Sequence, residues 1–243
     1  MPIDAAKVSR RVLVFSLPGL LGGCMTTSPP SSAVVATAPT PTPAPPTVPG
    51  PAITPNMYAA VTGEPFPVPA VDLRRIKPDF LRHEVAYQTT EGPGTIIIDP
   101  NKRFLYFTEG DGRAIRYGVG VGREGFGWSG TAEIRFKQEW PKWFPPPEMI
   151  ERQPELRPYA DGMPGGPGNP IGCRAMYLWQ GNKDTLFRIH GTNEPQTIGS
   201  HVSSGCIRMI NQDAIDLYNR VPIGTKVIVL PSAGSTQLSL AKT

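Results

Sequence analysis

The stretch Thr95-Ile-Ile-Ile98, Asp99-Pro-Asn-Lys102, Arg103-Phe-Leu-Tyr-Phe107, Glu109-Gly-Asp-Gly112, Ala114-Ile-Arg-Tyr-Gly-Val-Gly-Val121 decides the fold class. Short runs of β-branched and aromatic residues alternate with clusters of Gly, Asp, Asn and Pro, the texture of consecutive hairpins. Thr131-Ala-Glu-Ile-Arg-Phe136 continues it, Ala175-Met-Tyr-Leu-Trp179 and Leu186-Phe-Arg-Ile-His190 return to it, and Lys226-Val-Ile-Val-Leu230 closes it. A mainly β domain is therefore expected. Asn211 to Arg220 departs from the pattern: apolar Ala214, Ile215, Leu217 and Tyr218 with an early acid at Asp213 predict a short helix. Trp140 to Pro170 is rich in Pro and Gly, with room for a short helix near Glu148 to Arg152. A stretch of that length inside a compact domain is more often functional than idle, and a loop over the active site is expected. Trp140, Trp143 and Phe144 either offer a flat apolar surface to a sugar or peptide or pack against the sheet.

Working back towards the N-terminus, Val71 to Gly92 is a lead-in, amphipathic but interrupted at Pro78. Before it, from Thr26 to about Ala70, the chain is Ser, Thr, Ala and Pro, including Ala38-Pro-Thr-Pro-Thr-Pro-Ala-Pro-Pro46. Such a composition buries too little apolar surface to offset chain entropy and favours an extended tether at ~3.1 Å per residue, with a reach on the order of 100 Å. Lys7, Arg10 and Arg11 precede the apolar run Val12 to Leu21, which is too short to span a bilayer core of ~30 Å and reads as a secretory signal. Leu21-Gly22-Gly23-Cys24 follows and resembles the lipobox of bacterial lipoproteins, in which the Cys becomes the first mature residue and carries the lipid. The alternative is an ordinary secreted protein with an incidental Cys. Met25 after the Cys favours the outer membrane over the inner one by resemblance to Gram-negative sorting. The expected organisation is a signal at 1–23, a tether at 24–70, the lead-in at 71–92, a catalytic domain at 93–231 and a polar tail at 232–243.

The 24 Lys and Arg against 20 Asp and Glu leave a net charge of +4, a mild excess compatible with an anionic surface such as cell wall or headgroups. The basic residues form no aromatic-interleaved stripe, so no nucleic-acid partner is expected.

Three Cys and three His keep the search for chemistry short. Cys24 belongs to the anchor. Cys173, near a strand start, reads as a small buried residue, with a disulfide to Cys206 as the alternative. Cys206 stands in Gly199-Ser-His-Val-Ser-Ser-Gly-Cys-Ile-Arg-Met209, with Gly205 removing bulk beside it and Arg208 adding positive charge two residues on. A reactive thiolate needs such an electropositive, partly exposed setting. The backbone N–H groups of Gly205 and Cys206 are candidate oxyanion donors. A nucleophilic thiol also wants a base. His190 ends an apolar strand before Gly191-Thr-Asn193, a good catalytic position, whereas His201 either lines the pocket or faces solvent and His83 has no partner in the lead-in. Two His and a Cys also resemble a zinc ligand set, but no CxxC or HxxxH pair accompanies them, so no metal is expected.

His190-Gly-Thr-Asn193 and Ser204-Gly-Cys-Ile-Arg-Met209, with fifteen residues between His190 and Cys206, resemble the signature of the L,D-transpeptidase catalytic domain, also called YkuD-like. The resemblance extends over roughly Pro93 to Leu230. It implies a β-sandwich-like fold with one or two short helices, the Cys and His in a groove beneath a long Pro/Gly-rich lid loop, and no cofactor. Carried over residue by residue, it makes Cys206 the acylated nucleophile, His190 the general base, and the Gly191 main-chain carbonyl the group that orients the imidazole. Arg208 matches the basic residue that holds the pocket or a substrate carboxylate, and Ser204 and Asn193 join it as substrate contacts. Many members carry His where this chain has Ser204. The implied reaction is attack of the Cys206 thiolate on the L-centre carbonyl of a diamino acid in a peptidoglycan tetrapeptide stem, with release of D-alanine. The thioester then passes to an amine, giving a 3→3 cross-link or an attached outer-membrane protein or lipoprotein, or to water, giving a carboxypeptidase. Blockage by carbapenems is implied as well. A cysteine peptidase on the same stems and a catalytically silent wall-binding lipoprotein are the alternatives, and a monomer is expected.

Overall fold

A computed structural model describes residues 55–122, 128–203, 205–232 and 236–237. The signal at 1–23, Cys24, the tether as far as residue 54, and Ser204 lie outside the described residues.

The described elements run in the order β1 (His83–Ala86), β2 (Ile96–Asp99), β3 (Phe104–Gly110), β4 (Arg113–Gly118), β5 (Val121–Gly122), β6 (Trp128–Glu139), α1 (Pro147–Arg152), β7 (Arg174–Gln180), β8 (Lys183–His190), β9 (His201–Ser203), β10 (Ile207–Arg208), α2 (Asn211–Arg220), β11 (Lys226–Val229) and β12 (Thr236–Gln237). The main sheet has the order β1-β4-β3-β2-β11-β6-β7-β8-β10, with β12 also pairing with β6. The hairpins read from the sequence are there as antiparallel pairs: Ile97 faces Tyr106 across β2–β3, and Met176 faces Ile189 across β7–β8. Within the main sheet three described junctions are parallel, β11 on β2, β10 on β8 and β12 on β6.

All four residues of β2 are buried, which explains why its sequence is an unbroken Ile run rather than an alternation. Ile96 and Ile98 join the principal core with Leu105, Tyr117, Ile134, Met176, Leu178 and Ile189, whereas Ile97 packs on the other face with Tyr106 and Ala114. The principal core takes side chains from both halves of the sheet, and α2 inserts Ala214 and Leu217 into it. The sandwich-like expectation is thus met by one continuous sheet whose halves share a core, with β5–β9 as a separate pair.

Several boundaries differ from the sequence reading. The chain packs from Pro55 onward, not from Val71: Tyr58 is buried, its hydroxyl donates to Asp213, and Gln212 Nε2 donates to the carbonyls of Ala59 and Pro69 at 3.1 and 2.9 Å. Buried polar partners on α2 hold a segment whose composition alone promised none. The lead-in contributes β1, which extends the sheet beside β4. Part of the tail also pairs, through β12. The Pro/Gly-rich stretch contains, besides α1, a 3-10 turn at Pro154–Tyr159.

Candidate active site

The strand register assembles the site. In the parallel pair β8–β10, Ile207 sits beside Ile189 and Arg208 beside His190. Side chains two apart on a strand share a face, so Arg188 and His190 on β8 and Arg208 on β10 form one tile, and Cys206, just before β10, lies within reach of the Arg188 backbone and of both arginine charges. Ile189 and Ile207, fully buried on the opposite face, anchor that tile to the core. Gly205 precedes Cys206 with φ +129°, a conformation that side chains rarely adopt, and it turns the chain into β10.

His190 is buried, and its Nδ1 lies 2.6 Å from the Gly191 carbonyl oxygen. A carbonyl only accepts, so Nδ1 carries the proton and Nε2 is left as the basic nitrogen. Burial brings the imidazole down to about 4; the Gly191 carbonyl acts against it, the Arg208 charge adds to it, the Ile171 carbonyl again opposes, and Arg188 contributes last. Cys206 is partly exposed as a residue, but the surroundings of its sulfur are dense. Burial raises the thiol, opposed in turn by a backbone hydrogen bond from Arg188 and by the charges of Arg188 and Arg208. Both shifts favour a resting pair of neutral thiol and neutral imidazole. The electropositive setting noted in the sequence is present, and the arginines moderate the cost of burying the sulfur without outweighing it.

The remaining side chains find specific places. Arg208 reaches Glu194 at 3.4 Å, and Arg188 forms a two-point pair with Asp184 at 2.7 Å while lying over the Tyr177 ring. Asn193 Nδ2 donates to the Gly168 carbonyl at 3.2 Å and so ties the turn after His190 to the Pro/Gly-rich stretch. That stretch is folded on itself by Asn169, whose Nδ2 faces the carbonyls of Pro141, Met163 and Pro164. Trp140 is engaged in packing, with Nε1 donating to Glu64 at 2.9 Å and the ring against Phe66, whereas Phe144 is exposed. His201 is exposed, its Nε2 3.1 Å from Arg103 Nη1. His83, expected to lack a partner, lies between the Leu81 carbonyl and Arg116 Nη2, both at 2.9 Å. Cys173 and Cys206 are both free in the structure, with no disulfide between them, and burial raises the Cys173 thiol to about 12. Among the described residues no three His, Cys, Asp or Glu side chains gather into a metal-ligating group.

Sequence reasoning missed Arg188, Asn211 and Glu64. Arg188 had a signal, since it shares a strand face with His190; Glu64 had none, standing in what reads as tether.

The L,D-transpeptidase catalytic domain (YkuD) matches residues 93–229. The chain belongs to the YkuD family. Among curated YkuD-type proteins, the probable L,D-transpeptidase YbiS of Escherichia coli strain K12 is 34% identical over 139 residues, covering 55% of this chain and 43% of that protein. The probable L,D-transpeptidase ErfK/SrfK of the same strain is 35% identical over 144 residues, covering 56% and 43%. This chain therefore spans less than half the length of these relatives. A crystal structure from Brucella melitensis, described as a probable carnitine operon oxidoreductase caia, is 55% identical, covers 65% of this chain and 99% of that one, and superposes with a TM-score of 0.45. The YkuD match covers every described strand from β2 to β11, together with both helices.

Proposed function

We propose that this chain is a peptidoglycan L,D-transpeptidase with Cys206 as nucleophile and His190 as general base. The observation that carries the reading is the β8–β10 register, which pairs Arg208 with His190 and so brings the strand that follows Cys206 alongside the strand that ends in His190, while the Gly191 carbonyl holds Nδ1 and leaves Nε2 basic. The names of the curated relatives supply the reaction class.

In this mechanism His190 Nε2 takes the thiol proton as Cys206 Sγ attacks the L-centre carbonyl of the diamino acid in a tetrapeptide stem. The Gly205 and Cys206 N–H groups receive the oxyanion. Collapse breaks the peptide bond, and His190 returns the proton to the departing D-alanine amine. An acceptor amine then attacks the thioester, His190 takes its proton, and the C–S bond breaks to restore the thiol. The product is a 3→3 cross-link or a protein joined to the wall. Arg208, beside His190, and Asn193, in the turn that follows it, are assigned to the stem peptide, together with Ser204. A substrate that arrives with carboxylates suits the two arginines of the tile. We further infer that Leu21-Gly22-Gly23-Cys24 is a lipidation site and that the chain works in the periplasm, anchored to the outer membrane; the sequence pattern supports this reading.

Mass spectrometry of purified wall incubated with the full chain is the test. Loss of D-alanine with new cross-links or protein–stem adducts supports the proposal; tripeptides alone identify water as the acceptor and overturn transpeptidation. A wall left unchanged by the active chain overturns the reading altogether.

A further inference from the structure

Asn211 opens α2 five residues after Cys206, yet the helix has no side-chain cap. Its carboxamide turns back instead, and Oδ1 accepts two backbone N–H groups, from Cys173 and from Thr192, each at 3.2 Å. The space it fills exists because two neighbours lack side chains: a methyl added at Gly172 or at Gly191 would collide with Asn211 Oδ1. Gly172 also stands at φ +69°.

The Thr192 N–H and the Gly191 C=O belong to one peptide group. On one edge of that plane the N–H donates to Asn211 Oδ1; on the other the carbonyl accepts from His190 Nδ1 at 2.6 Å. A peptide group is planar, so rotating it to release one bond also breaks the other. Hydrogen bonding at its N–H polarises its carbonyl and makes it a better acceptor. The far side of the turn is fixed independently: the Gly191 N–H donates to the Arg174 carbonyl at 3.0 Å, and the Met209 N–H to the His190 carbonyl at 2.8 Å.

We propose that Asn211 is the positioning residue of the catalytic pair, acting on His190 through the Gly191–Thr192 peptide group. The chain of contacts runs Asn211 Oδ1, Thr192 N–H, Gly191 C=O, His190 Nδ1–H, and leaves Nε2 as the basic nitrogen of the ring. A side-chain carboxylate that would orient a catalytic histidine in other enzymes is thereby replaced by a carboxamide working one peptide bond away. The assignment rests on the transpeptidase reading only for its kinetic part.

Three variants of the full chain decide it: Asn211→Ala, Asn211→Ser and Asn211→Asp. The first removes the acceptor, the second shortens it beyond reach of both N–H groups, and the third retains it. Nitrogen-15 histidine spectra should show His190 as the Nδ1–H tautomer in the parent and in Asn211→Asp, with that signal lost or averaged in Asn211→Ser and, if it folds, in Asn211→Ala. D-alanine release should fall about tenfold or more in kcat for the same two variants with KM little changed, and Asn211→Asp should recover most of it. A folded Asn211→Ala or Asn211→Ser that keeps both the tautomer and the parent kcat overturns the proposal. Equal loss in all three variants does so too, because the retained acceptor would then count for nothing. Should the parent release no D-alanine, the function reading falls while the tautomer spectra, and the rate of Cys206 alkylation by iodoacetamide, still decide the role of Asn211.

Discussion

Arg208 lies directly beside His190 across the parallel β8–β10 pair, and its charge is among the influences that keep the imidazole unprotonated. A positive neighbour disfavours the imidazolium, so its removal raises the pKa of His190. On the proposed mechanism activity needs the neutral ring and is expected to fade as pH drops through the neighbourhood of 4, where His190 gains its proton. In Arg208→Gln that acid limb should move to higher pH. The pH dependence of single-turnover acylation measures both limbs; an acid limb unmoved by the substitution would separate Arg208 from the base.

Cys206→Ala should reduce D-alanine release from tetrapeptide muropeptides by about a thousandfold or more while leaving the thermal transition near that of the parent, because the residue is a partly exposed site group and no part of the core. A carbapenem should add its mass at Cys206 and not at Cys173, whose thiol is buried and raised to about 12. Intact-mass and peptide mapping check both statements, and an adduct on Cys173 would redirect the chemistry.

Asp213 is fully buried on α2, with Tyr58 Oη donating to it, Arg82 Nε at 3.7 Å and Asp216 nearby. Burial raises its carboxyl to about 7; the Arg82 charge and the Tyr58 hydrogen bond oppose this, and Asp216 adds to it. The folded chain therefore binds a proton that the unfolded chain has released between pH 4 and 7, and the stability this contributes is lost as pH rises through about 7. Asn at this position mimics the protonated form. Asp213→Asn should match the parent near pH 4 and gain on it progressively towards pH 8, as read from denaturant midpoints. The opposite trend of His190, whose stability contribution falls as pH drops from 6.5 towards 4, is common to both proteins and cancels in the comparison.

Glu64 accepts from Arg174 Nη1 and from Trp140 Nε1, both at 2.9 Å, and joins the segment before the YkuD match to the start of β7. Glu64→Gln leaves a buried guanidinium short of its partner and should cost on the order of 2 kcal/mol. A chain begun at Pro93 loses Tyr58, Glu64 and β1 together and orphans Arg174, Gln212 and Asp213. It should melt well below a chain begun at Pro55, by calorimetry, and have a faster-exchanging α2.

Much of this was legible in the residues. The Ile run of β2, the hairpin punctuation and the α2 pattern carry the fold because strand and helix periods are local properties of a sequence. Cys206 stands out as a candidate because Cys and His are rare in this chain, and the choice of His190 over His201 rests on the resemblance of the paired motifs. What the sequence did not disclose is long-range and polar. Asn211 is one Asn among several until the turn at Gly191 folds against it, and Glu64 becomes structural only when Arg174 arrives from 110 residues away. The surroundings of Cys206 were half legible for a related reason: nearby arginines are visible in sequence, but the burial of the sulfur is not.

That burial has a chemical consequence. Peroxide oxidises thiolates far faster than thiols. A sulfur that stays protonated until a substrate carbonyl presents itself is a poor target between turnovers. On the proposed mechanism, the burial that makes Cys206 reluctant to ionise also slows its oxidation and keeps the thiol available for attack on a substrate carbonyl.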